Sequence, residues 1–152
     1  MKKINLLWIE DESEDRLSER RAILQTSLEF NCTVARNATE GEYHVTRFDF
    51  DVIIVDLRLY PGNSKIWQEY HNDIHSLELS GRLGLLLIKN ICNHYPAFAK
   101  KMGIYTIERW VDIEKFILPA GITEKQYLKK KTNDTPEDFM NFVMQIYDNG
   151  NK

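Results

Sequence analysis

Cysteine is scarce: Cys32 and Cys92 are the only two in a chain of 152 residues, and they lie far apart. Two thiols cannot build the framework of bridges that holds small secreted domains together, so both are expected to be free, in a reducing compartment. Charge of one sign is also missing. With 20 basic residues against 23 acidic ones, the formal net charge of -3 gives no reason to expect a nucleic-acid groove or an anionic membrane as the main partner. No apolar run approaches the roughly 20 residues that a bilayer-spanning helix needs. The amino terminus has no signal-peptide core before charge returns at Glu10, and neither repeats nor linkers interrupt the chain. These absences lead to one cytoplasmic domain over residues 1–152, large enough to bury roughly 68–70% of its unfolded surface without a staple.

What is present is an alternation of strand and helix. Ile4 to Ile9 and Asp51 to Leu57 are short apolar runs rich in β-branched residues, which reads as strands buried on both faces of a parallel sheet. Cys32 to Ala35, Met102 to Ile107 and Gln126 to Leu128 are weaker strand segments. Between them, Ser13 to Glu29 carries Leu17, Leu24 and Leu28 on one helical stripe, and Thr39 to Arg47 forms a brief helix with Tyr43 inward. Gly84 to Asn93 is a strongly apolar helix. Thr135-Pro136-Glu137-Asp138 announces a last helix, with a cap, a proline in the first turn and early acids, and Phe139, Phe142, Val143 and Ile146 make its buried stripe. Strands separated by helices imply βαβ crossovers and a doubly wound, five-stranded parallel sheet with helices on both faces, an α/β fold.

Three acidic residues stand at strand ends. Glu10 and Asp11 close the first run and Asp56 closes the third, at the carboxyl edge where such sheets place ligands. If the two strands are neighbours, three carboxyl groups converge, and a divalent cation most simply relieves their repulsion. Hard oxygen donors favour Mg²⁺.

Taken in order, these elements resemble the receiver domains of two-component response regulators, which are flavodoxin-like in fold, over nearly the whole chain. Ile9-Glu10-Asp11-Glu12 is similar to the acidic pair after the family's first strand, Asp56 to its phosphoaccepting aspartate and Pro61 to the proline that often follows. Thr106 corresponds to the switch threonine, Tyr127 to the switch aromatic and Lys130 to the active-site lysine three residues later. The resemblance implies a Mg²⁺ site made by Glu10, Asp11, Asp56 and the main-chain carbonyl of Arg58, with a sensor histidine kinase or phosphotransfer protein as phosphoryl donor. It further implies a downstream protein reached through altered contacts and phosphorylation-dependent dimerisation through the last helix, while the charge balance leaves no direct contact with nucleic acid or membrane expected. Nucleophilic attack by Asp56 would be assisted by Lys130 as a compact positive charge, with the Thr106 hydroxyl as a donor to the bound group.

Plainer readings stand beside these. Glu10 to Glu12 fit a solvated turn, Lys129-Lys130-Lys131 a solvated charge run, Thr106 an ordinary strand residue and Tyr127 ordinary core. The sequence also departs from the family: Ile107 follows the threonine where a small residue is usual, and Lys131 occupies the place of a proline. A third departure is an insertion of roughly twenty residues at about 62–83, between the third strand and the next helix, long enough to be structured or functional. Its Ile66, Trp67, Tyr70, Ile74 and Leu77 are spaced for a short amphipathic helix, while His71 and His75 lack the third ligand of a metal site. The alternative function is a receiver-like interaction module that takes no phosphate. A metal-dependent phosphotransfer enzyme is disfavoured, because Arg58 stands where those folds place a second aspartate.

Overall fold

Side chains alternate across a strand, and in Ile4–Ile9 both sets are buried: Leu7 and Ile9 on one face, Leu6 and Trp8 on the other. Such a strand needs a covering layer on each side. Both layers are present in the computed structural model, which describes residues 2–11, 17–73, 82–131 and 134–150. The strands β1 (Ile4–Ile9), β2 (Phe30–Ala35), β3 (Val52–Val55), β4 (Met102–Thr106) and β5 (Tyr127–Lys129) pair in parallel, in the order β2-β1-β3-β4-β5. The helices are α1 (Ser18–Thr26), α2 (Ala38–Arg47), α3 (Lys65–Asp73), α4 (Leu83–His94), α5 (Trp110–Ile117) and α6 (Pro136–Gly150).

One core lies between the sheet and α2, α4 and α5, built on Leu7, Ile9, Ile53, Val55 and Ile104. The second lies under α1 and α6, where Trp8 and Tyr105 each meet the Phe139 ring at a centroid distance of 4.8 Å. The stripe read for the last helix is in place: Phe139, Phe142, Val143 and Ile146 are all buried. Its start is fixed reciprocally, the Asp138 amide donating to Thr135 Oγ1 at 3.1 Å and the Thr135 amide to Asp138 Oδ2 at 3.0 Å.

Several local expectations are corrected. Tyr43 points outward, 47% exposed, because α2 buries Ala38, Gly41 and Val45 instead. A side chain at position 41 would put its Cβ 2.9 Å from Ile9, so the bare glycine face is the one that can approach the sheet. Leu28 is exposed because α1 ends at Thr26, with Ser27 already extended; Leu17 and Leu24 are buried as expected. Helix α5 has no counterpart in the sequence reading, although Ile113 and Ile117, one turn apart, are its buried residues.

Helix α3 lies between β3 and α4. Trp67 is buried in the core, Ile66 is exposed, and Tyr70 sits edge-on to Trp67 at the surface. The chain leading into it is tied to α2: the Pro61 carbonyl accepts from the Thr39 amide, and Thr39 Oγ1 accepts from the Ser64 amide at 3.0 Å. Glu12, Ile74, His75 and Leu77 lie outside the described residues. Both thiols are free, and burial pushes Cys32 up to about 12 and raises Cys92 as well, as expected of unreactive structural cysteines. No helix among the described residues is long and apolar enough to cross a membrane.

Candidate functional site

The ladder that holds the sheet together also aims its carboxyl edge. Glu10 leaves β1 with its amide bonded to the Ala35 carbonyl at 2.8 Å, and Asp56 leaves β3 with its amide on the Ile9 carbonyl at 3.0 Å. Lys130 leaves β5 with its amide on the Thr106 carbonyl at 2.7 Å. Each residue is thus fixed by the neighbouring strand before its side chain begins. Because β1 and β3 are adjacent, their ends bring Glu10, Asp11 and Asp56 together, with one carboxylate oxygen of each within 4.8 Å of the others. This is also where the strand order reverses direction, the usual ligand crevice of an open α/β sheet.

Lys130 enters the same space. Its ammonium is 2.7 Å from Glu10 Oε1 and 3.2 Å from Asp56 Oδ2, and all three side chains are buried. Asp56 Oδ1 is held separately by the Leu57 amide at 2.7 Å. One ammonium cannot balance the cluster. Burial, reinforced by the Asp56 charge, pushes the Glu10 carboxyl up to about 9, against the lowering pull of Lys130. Burial alone would lower the Lys130 pKa, but Asp56 and Glu10 outweigh it and raise it. A site of hard oxygen donors with surplus negative charge fits a divalent cation such as Mg²⁺.

Helix α4 begins against this site. A Cβ on Gly84 would fall 2.3 Å from the Asp56 carbonyl oxygen and 2.6 Å from Leu57 Cα, both backbone atoms that cannot swing aside. Gly84→Ala is therefore expected to destabilise the protein by about 1–3 kcal/mol or more, as overpacking does, read as a lower urea midpoint. An unchanged midpoint would mean that the helix start is not held against Asp56.

The rim contains residues that sequence reading missed. Glu108, buried, accepts from Arg58 Nε at 2.5 Å and from Arg82 at 3.2 Å. Its amide donates to Thr106 Oγ1 at 3.3 Å, and its carbonyl accepts from the Tyr127 hydroxyl at 2.5 Å. Glu108 carried the same signal as Glu10 and Asp56, an acid just past an apolar strand; the partners Arg58 and Arg82 could not be inferred from spacing. Truncating it strands Arg82, whose side chain is only 15% exposed. Glu108→Ala should cost about 1–3 kcal/mol in chemical unfolding; a loss close to zero would show that water serves the arginines equally well.

The structure therefore brings Glu10, Asp11, Asp56 and Lys130 into one cluster and places Thr106, buried, beside it through the Lys130 amide. Tyr127 is half-buried, turned toward the loop after β4, with its ring 5.5 Å from that of Trp110. Arg58 contributes a side chain to the rim, two residues after Asp56. Ile107 is 50% exposed rather than packed into the core. Lys129 and Lys131 face solvent, and Lys130 reaches the acids although no described peptide bond is cis.

No protein-family model and no curated protein matches the sequence. Solved structures do. A response regulator receiver domain protein from Methanospirillum hungatei is 16% identical, with 98% of this chain and 97% of that one covered and a TM-score of 0.69. The receiver domain of the Francisella response regulator 1452 is 14% identical over 96% of this chain and 98% of that one, at a TM-score of 0.66. A Clostridium thermocellum response regulator receiver domain protein is 20% identical, covering 95% and 94%, at a TM-score of 0.64. With five parallel strands in the same doubly wound arrangement and near-complete coverage, the chain has the CheY-like fold of the response regulator receiver domains.

Proposed function

We propose that the chain is a receiver that accepts a phosphoryl group on Asp56 from a histidine kinase or phosphotransfer protein and signals through altered protein contacts, in the cytoplasm, rather than by turning over a substrate. The observation that carries this reading is the convergence of Glu10, Asp11 and Asp56 at adjoining strand ends with the Lys130 ammonium 3.2 Å from Asp56. An Asp56 carboxylate oxygen attacks phosphorus, the bond from phosphorus to the donor's nitrogen or oxygen breaks, and its electron pair leaves with the donor. Lys130 lies within reach of a phosphoryl oxygen on Asp56, and the Thr106 hydroxyl, which accepts from the Glu108 amide, keeps its own hydrogen to donate to another. Glu10, Asp11, Asp56 and, by family resemblance, the Arg58 carbonyl would hold Mg²⁺, which when bound supplies charge neutralisation at the phosphoryl oxygens.

Tyr127 and Thr106 are the switch pair in this reading: both are tied to the Glu108 main chain, so a Thr106 hydroxyl drawn to the phosphoryl group moves the segment that anchors Tyr127. We treat residues 62–83 as an insertion into one domain spanning 1–152. Intact-protein mass after incubation with acetyl phosphate and Mg²⁺ tests the proposal. One phosphoryl adduct is expected, lost in Asp56→Asn and with a chelator. No adduct on the native chain, with no binding of beryllofluoride, would leave a phosphate-independent interaction module.

A further inference from the structure

Lys130 sits in the connection between β5 and α6, and something must hold that connection for the ammonium to stay among the acids. On its amino-terminal side the Lys130 amide is bonded to Thr106. On its far side is a polar cluster on the opposite face of the sheet from α4. Arg20, on α1 and only 8% exposed, donates from its guanidinium to the Asp134 carbonyl at 2.7 Å and forms an ion pair with the Asp134 carboxylate. Tyr105, on β4 and fully buried, donates its hydroxyl to the other Asp134 oxygen at 2.7 Å. The Tyr105 ring then faces the lysine itself, 5.5 Å from Nζ.

We propose that Arg20, Asp134 and Tyr105 form a buried clamp that positions Lys130 in the acidic site. They are positioning residues, since none of them is placed to touch the reacting atoms. The role in phosphoryl transfer rests on the receiver reading above; the role in holding Lys130 does not.

Three features distinguish the clamp from a surface ion pair. Its members come from three elements, α1, β4 and the residues before α6, so Asp134 is held from two other elements rather than along one helix. Its charge is buried and multiply bonded, the condition under which such a pair specifies one geometry. Burial and the Asp134 hydrogen bond raise the Tyr105 pKa, so the phenol remains a donor across the working range. Tyr105 also couples the two ends of the device, its hydroxyl on Asp134 and its ring face toward the ammonium. The plainer role is a staple between α1 and the start of α6, which would stabilise the fold without governing Lys130.

The test uses the full chain in three conservative variants, Asp134→Asn, Tyr105→Phe and Arg20→Lys, each checked for an intact fold by its thermal transition. The first reading is acylation of Lys130 by a water-soluble anhydride, followed by peptide mass. In the native protein the lysine is protected, its side chain being 3% exposed; in the variants its labelling should rise several-fold, more than that of Lys129 or Lys131. Arg20→Lys, which keeps the charge, should fall between native and Asp134→Asn. Unchanged protection in all folded variants overturns the clamp whether or not the protein takes phosphate.

The second reading is the rate of adduct formation from acetyl phosphate at saturating Mg²⁺. A loss of about tenfold to a hundredfold is expected, the scale of a misplaced group. In a Lys130→Met background the same substitutions should cost almost nothing more, because they act through the lysine. Full additivity overturns the positioning role and leaves a structural staple. Absence of any native adduct removes the receiver reading, while the labelling result still decides whether the clamp holds Lys130.

Discussion

Lys130→Met is expected to lose phosphoryl acceptance and stability together. In the proposed receiver the ammonium is the compact cation that would meet charge on the transferred group, and removal of one such donor typically lowers rate by about 10²–10³-fold. It is also the buried partner of Asp56 and Glu10, at 3.2 and 2.7 Å. Breaking a buried pair by removing one member costs about 3–5 kcal/mol, because the other charge is stranded. The two losses separate on addition of metal: Mg²⁺ restores stability by mass action, replacing the missing positive charge, but does not restore the rate. Urea unfolding with and without Mg²⁺, beside adduct formation, reads both. A variant as stable as the native chain without metal would mean that the Lys130 contacts with Asp56 and Glu10 contribute nothing to the folded state.

The second large effect is a pH dependence centred on Glu10. Its carboxyl is raised from 4.5 to about 9, so between these values the folded protein binds a proton that the unfolded chain has released. Stability from this group is then fully present below about 4.5 and is lost as the pH rises toward about 9. The thermal midpoint of the metal-free protein should fall across the neutral and mildly alkaline range, and Glu10→Gln, which cannot titrate, should flatten the fall. Mg²⁺ binding runs the other way. The ion needs the deprotonated carboxylate, so its apparent affinity rises with pH over the same window and proton release accompanies binding. Parallel pH profiles for the native and Gln proteins would remove Glu10 as the titrating group.

Much of the fold and the acidic cluster was legible from sequence because the determining contacts are local. Apolar β-branched runs specify buried strands, an acid immediately after such a run must emerge at the sheet edge, and Phe139 to Ile146 repeat at helical spacing. The misses have a common cause in tertiary contact. Tyr43 is large and apolar, yet the helix turns its smallest residue, Gly41, inward because Ile9 leaves room for nothing more. Leu28 fits a helical stripe that the backbone abandons at Ser27. The Arg58 and Arg82 partners of Glu108, and the joining of Arg20 to Asp134, pair residues distant in sequence, and no spacing rule encodes them. Lys130 shows the converse. Within Lys129-Lys130-Lys131 only the middle residue is buried, as strand alternation at the end of β5 requires.

Tyr127, Glu108 and Trp110 form one connected group beside the acidic cluster, with the Tyr127 hydroxyl on the Glu108 carbonyl. Thr106 joins this group through the Glu108 amide, which donates to its Oγ1 at 3.3 Å. In the proposed receiver, a displacement of Thr106 would have this short route from Asp56 to the surface.

The most direct measurement is the location of the phosphoryl group. Protein treated with acetyl phosphate and Mg²⁺ is reduced with borohydride, which converts an acyl phosphate to an alcohol and leaves free carboxylates intact, then digested and sequenced by mass. Reduction at Asp56 alone is the predicted result. Reduction at Glu10 or Asp11 with Asp56 untouched, or none in a chain that binds Mg²⁺, would contradict the assignment of Asp56 as the acceptor.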